Sequence, residues 1–256
     1  MAETAVEKRS GMRRAFRITT IVLGVGVGIG TFAWVSLVVG WFYGGERDIH
    51  RVHDMAWGGV GGLMIALPMV LQGWRPERRL AAMQEIALAS AALLVAGLMS
   101  AEVTPLSLIA IAVVAILVVL HPARGSLLGE GRGVSWPMAI LVLAAAVPLI
   151  LYALDQADIA RACPPGDIDP HCGEQHWTLM AALAVGILFV GGLASLRTAG
   201  WRIPAWTAGA AAAVLGAASL LFSSRPSALP TGWAVVSLVG GLIFIGTAEW
   251  EHRRNP

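Results

Sequence analysis

Long apolar runs alternate with short polar punctuation along the whole chain. Read as spans of roughly 17–25 residues, the runs predict eight helices. They lie near 19–43, 55–73, 80–100, 105–121, 137–154, 178–196, 204–222 and 231–249. The segments between them, such as "GWRPERR", "SAEVTP", "RTAGWRIP" and "SSRPSALPTG", mostly carry the Pro or Gly expected at helix ends. Pro105 opens the shortest run, where its fixed φ suits a first helical turn.

Composition changes the reading from helical to membrane-embedded. The 256 residues are 57% hydrophobic and 13% charged, about half the charged share of a soluble domain. Charge then orients the spans. Eight spans put 14 of the 18 Lys and Arg residues on the face that holds the N-terminus, leaving Arg47, Arg51, Arg161 and Arg225 opposite. Basic residues collect on the cytoplasmic side, so both termini are expected there, in a multi-pass protein of the cytoplasmic (inner) membrane. The first run is too long for a signal-peptide core, and no small-x-small cleavage site follows it. The net charge of +2 and the absence of any recognition motif argue against a nucleic-acid partner. The lipid bilayer is the expected partner, alongside a membrane-protein complex partner and a small-molecule ligand of unknown identity.

The chain also resembles itself. His53 opens a span that ends in "GWRPERR", and His176 opens one that ends in "GWRIPAW". Trp74–Arg75 pairs with Trp201–Arg202, and His121 with His252. The expected fold is therefore an all-α integral membrane protein with eight transmembrane helices in two parallel four-helix repeats, related by an axis along the membrane normal. Its parts would be a tail at 1–18, a first unit at 19–121, a linker at 122–136, a second unit at 137–249 and a tail at 250–256.

Within the spans, Gly24/Gly28, Gly26/Gly30 and Gly58/Gly62 are small-xxx-small pairs that suit close helix packing. They do not fit a dinucleotide-binding register. No span carries an ionisable residue near its centre, which argues against a proton- or ion-coupled carrier. Glu85 and Glu249 fall just inside the cytoplasmic edge and are expected to face headgroups. His121 and His252 fall at helix C-termini, where the helix dipole favours them.

The outer face holds the candidate chemistry. Cys163 and Cys172 lie in its longest loop, in an oxidising compartment, and are expected to form a disulfide. Their C-x8-C spacing does not match a zinc motif. The stretch "RDIHRVHDMAWGG" places His50 and His53 three residues apart, beside Asp54. Two positions three apart share a helix face, and neutral imidazole is a common metal ligand. His53 and His176 occupy matching places in the two repeats. They could converge on a zinc ion or the two faces of a haem iron, with Asp54 and Glu174 in support.

On layout the chain resembles haem A synthase, a family with eight helices in two halves, histidines at helix ends and outer-loop cysteines. Its nearest stretch is "IHRVHDMAWGGVGG". The resemblance implies architecture only, because His53 and His121 lie at opposite ends of one half and both cysteines lie in the second half. The function expected from the sequence is a haem- or metal-binding site at the outer face, with catalytic residues unknown. The alternative is a non-catalytic membrane subunit, or a carrier for an apolar molecule, without a cofactor.

Overall fold

A computed structural model describes residues 2–42, 49–129, 131, 133–163, 172 and 175–254, the side chains of 2–10 excepted. The described residues are helical, with no strand among them. We number the helices α1 (Ala2–Val25), α2 (Ala33–Val39), α3 (Arg51–Gln72), α4 (Leu80–Met99), α5 (Pro105–Leu120), α6 (Trp136–Ala162), α7 (His176–Ser195), α8 (Arg202–Leu221) and α9 (Thr231–Arg254). Helices α3, α4, α6, α7, α8 and α9 are long and apolar enough to cross a membrane. The bent pair formed by α1 and α2 makes a seventh if counted as one span, and α5 is a shorter apolar helix.

The apolar run at 19–43 is not one straight helix. After Val25 the chain widens into a π-helical turn over Gly26–Gly30, and Phe32 takes a left-handed φ of 61°. The two arms then bend by 43°. Glycines with no Cβ allow the wider turn, and a helix cannot continue through a left-handed residue. Helix α1 begins at Ala2, within the stretch expected as a tail. Helix α3 carries a second π-helical stretch, Gly58–Ala66.

Helix α7 sits at the centre, packed against α3, α4, α6 and α8. Helices α6 and α9 lie at the periphery with most of their surface outward. Small residues set the closest approaches. A Cβ on Gly24 would meet the Ala66 carbonyl and Met69, one on Gly58 would meet Leu37, and one on Gly62 would meet Trp34. Gly26 and Gly30 face open space, so that expected packing pair is not one. A stronger contact joins α8 to α9, where a Cβ on Gly241 would lie 2.3 Å from the Gly209 carbonyl oxygen.

Two polar residues differ from expectation. Glu85 does not face headgroups: it is fully buried between α4 and α8, where the Thr207 hydroxyl bonds Oε1. Its other oxygen has no hydrogen-bond partner among the described residues. His121, just past the end of α5, is fully buried edge-on to Phe16, with ring centroids 4.8 Å apart. The Ala123 N–H donates to its Nδ1 at 3.1 Å, which requires a ring with a lone pair there rather than a charged partner for the helix dipole. Burial pushes its pKa down to about 4, against a smaller opposing pull from Glu77. Glu249 takes a bidentate bond from Arg202 and a third bond from Trp206.

Candidate metal centre

Three histidines meet where α3 and α7 begin. His50 precedes α3, His53 lies in its first turn and His176 is the first residue of α7. Each offers a ring nitrogen, and these nitrogens all lie within 4.8 Å of one another. The rings of His53 and His176 are stacked, with centroids 4.9 Å apart and planes 11° apart. His50 meets His176 edge-on, and their Nδ1 atoms are 3.3 Å apart. His53 is fully buried, His176 nearly so and His50 half-buried.

The start of α7 and the ring of His53 are held by their surroundings. The start of α7 is tied to the α4–α5 loop through Glu102, which accepts from Gln175 Nε2 at 2.9 Å and from the Thr178 hydroxyl at 3.4 Å. That loop turns tightly: the Glu102 N–H bonds the Gly97 carbonyl at 2.7 Å, and a Cβ on Gly97 would lie 2.9 Å from the Glu102 oxygen. Gln175 itself takes a left-handed φ of 59°, which starts α7 sharply and leaves His176 at its mouth.

His53 is fixed from the opposite side. Its Nε2 lies 2.9 Å from the hydroxyl of Ser227, in the loop between α8 and α9. The Ser227 hydroxyl donates to Gln156 Oε1 at 2.6 Å, and an amide oxygen can only accept. Ser227 therefore accepts from His53, which makes Nε2 the protonated nitrogen and leaves the lone pair on Nδ1. Gln156 in turn donates through Nε2 to Asp155 Oδ2 at 3.2 Å. The Tyr152 hydroxyl clamps the loop by donating to the Ser227 carbonyl at 2.7 Å.

The histidines line a cavity of about 590 Å³ with Asp54, Thr104, Gln175 and Thr178 among its polar walls, and Phe32 and Leu93 among its apolar ones. The sequence singled out His50, His53, His176 and Asp54, and the structure brings all four to this cavity. Glu174 lies outside the described residues. Cys163 and Cys172 form the expected disulfide, with Cα atoms 5.7 Å apart. Ser227, Gln156 and Tyr152 were not singled out. Their only trace in the sequence is a polar turn along "LYALDQAD" and a serine among prolines in "SSRPSALP".

The fold and site together define a helical chain with six candidate membrane-crossing helices and three clustered histidines among the described residues. No protein-family model, characterised protein or solved structure matches it.

Proposed function

We propose that this chain is a multi-pass membrane protein that binds a single divalent metal ion of the zinc class through His50, His53 and His176, at its outer face. The observation that carries the reading is the 3.3 Å separation of the His50 and His176 Nδ1 atoms, beside a third buried imidazole. With metal–nitrogen distances of about 2.05 Å, neighbouring corners of a tetrahedral site are about 3.3 Å apart. The widest separation, up to 4.8 Å, must close by about 1.5 Å as the His53 ring turns inward. Imidazole donors suit zinc, copper, iron and nickel over magnesium or calcium. Ser227 supports the reading as the outer hydrogen-bond partner that sets the tautomer of a ligating histidine.

A fourth position would open into the cavity, where Asp54, water or a substrate atom can reach it. Three protein ligands and one exchangeable position are the pattern of catalytic rather than structural zinc. The stacking of His53 on His176 favours an ion over haem. Axial imidazoles point their nitrogens at each other across the macrocycle, and face-to-face rings 4.9 Å apart do not. The two-repeat reading draws support from the packing: α4 rests on α7 as α8 rests on α3, which brings the matching histidines together.

The test is metal binding by the purified protein. After chelation and readdition, one zinc per chain is expected, and cobalt should give the visible ligand-field bands of a tetrahedral site. His50→Ala and His176→Ala should each abolish the cobalt spectrum while the protein remains monodisperse. Absence of stoichiometric metal, with no cobalt bands in the folded wild type, would overturn the reading. A Soret band in the protein as purified would replace the ion with haem.

A further inference from the structure

A second cavity, separate from the histidines, opens between α6 and α9. Helix α6 packs on α7 and α9 packs on α8, but α6 and α9 barely meet, and a cleft of about 450 Å³ remains between them. Small residues keep it open: Ala144, Ala145, Gly191, Ala212 and Gly240 stand where larger side chains would fill the space. Leu151, Trp233 and Val236 on its rim are about half exposed or more, so its open side faces the surroundings of the bundle.

The cleft is a slot. It follows α6 from Leu141 to Asp155, about 21 Å at 1.5 Å per residue. That length and the largely apolar walls suit an extended hydrocarbon chain. A volume of about 450 Å³ is typical of small-molecule sites, which are ~300–1,000 Å³ and mostly apolar with a few polar groups. Here Tyr152 and Asp155 stand at one end and Ser237 about midway along the part of α9 that lines the cleft, 233–244. Tyr152 gives its proton to the Ser227 carbonyl, and Ser237 gives its own to the Ala212 carbonyl at 2.7 Å. Asp155, at the same end as Tyr152, is a carboxylate with acceptor capacity beyond its one bond from Gln156.

We propose that this cleft is a binding site for one long-chain amphiphile with a hydrogen-bond-donating head, a hydroxyl or an amine. The tail lies along the slot and the head meets Asp155. The apolar walls select a chain, the length of the slot suits its extended form, and the acidic end disfavours anionic heads. The site stands without a metal on the histidines. Its head end nonetheless joins them through Asp155, Gln156, Ser227 and His53.

The probe is a long-chain primary alcohol with a photoreactive diazirine in its tail, applied to the full chain in nanodiscs. Saturable labelling is expected on the cleft-lining peptides of α6 and α9. Hexadecanol should compete, whereas hexadecane and palmitic acid should compete poorly. A Cβ on Gly240 meets open space, so Gly240→Phe should fill the slot without disturbing the helix contact and abolish the labelling. Asp155→Asn should erase the discrimination against palmitic acid while labelling persists. Labelling spread evenly over Leu143 and Val147, which face outward beyond the cleft, or unchanged in Gly240→Phe, would overturn the proposal. So would cross-links through α6 and α9 between two copies of the chain, which would make this face an interface instead.

Discussion

Ser227 allows the metal reading to be separated from the stability of the fold. Its hydroxyl accepts from buried His53 and donates to Gln156, which is itself only 3% exposed. Ser227→Ala removes that hydroxyl, leaving the Gln156 oxygen without the proton it receives. An unsatisfied buried acceptor costs about 1–3 kcal/mol of stability. If His53 ligates a metal, the same change also loosens the ring and its tautomer. Losing such an outer partner lowers metal affinity by about 10–100-fold, or ~1.4–2.8 kcal/mol. Ser227 sits at φ 62°, a conformation that strains any residue with a Cβ. Ser227→Gly therefore relieves strain while removing the same hydroxyl. Its thermal midpoint should exceed that of the alanine variant, yet its affinity for cobalt should fall equally. The assay is a competitive cobalt titration at fixed pH, with melting curves of the metal-free proteins alongside. If both variants melt lower but bind cobalt within twofold of the wild type, Ser227 is a structural partner only, and His53 is not a ligand held by it.

Three other outcomes follow from the packing, from burial and from the charge pattern. Gly240→Ala should leave the midpoint unchanged or raise stability by up to about 1 kcal/mol, as alanine does in a helix. Gly241→Ala should destabilise strongly, because its Cβ would meet the Gly209 carbonyl at 2.3 Å; equal melting of the two variants would refute this. His121 has a pKa near 4 in the fold, against about 6.5 in the unfolded chain. Between these values the unfolded chain takes up a proton that the fold does not, so stability is full above pH ~6.5 and is lost as pH falls toward 4. His121→Gln should flatten that part of the melting-versus-pH curve, and parallel curves would refute the assignment. A reporter fused after Pro256 should read as cytoplasmic, and a signal from the opposite side would remove the even number of crossings on which the two-repeat reading depends.

Six of the eight expected spans were legible because those apolar runs are long, so hydropathy locates them; the first run is broken at its glycines and the run at 105–121 forms only a shorter helix. Their ends were less so. Helix α6 continues past the expected residue 154 through "DQADIARA" to Ala162, since polar residues leaving the bilayer can remain helical. The histidine convergence was legible through the matching positions of His53 and His176. The partners of those histidines were not. Ser227 is 174 residues from His53, and no periodicity links a loop serine to a helix-start histidine. Glu85 was misread for the same reason. Five residues from the start of its helix it looks interfacial, and only Thr207, 122 residues further on, reveals the face it buries.

The chain of bonds from Asp155 to His53 constrains how the two proposed sites can communicate. His53 donates to Ser227, Ser227 donates to Gln156, and Gln156 donates to Asp155. A proton could pass from the imidazole through the serine hydroxyl, but the amide of Gln156 interrupts it. Its oxygen accepts and its nitrogen donates, and it carries no proton that hops between them at ordinary cost. The link is therefore one of orientation. A head group drawing on Asp155 changes the pull on the Gln156 amide, which tilts the Ser227 hydroxyl and with it the ring of His53. Any such coupling is reciprocal, so a ligand in the cleft that alters metal affinity by some factor has its own affinity altered by the same factor when metal binds. Gln156→Glu makes this testable at a pH alkaline enough to ionise the new carboxyl, because a carboxylate then accepts from Ser227 but cannot donate to Asp155. That variant should keep its metal affinity and lose the dependence of metal affinity on the amphiphile. Retention of the coupling in Gln156→Glu would show that the sites communicate by another route.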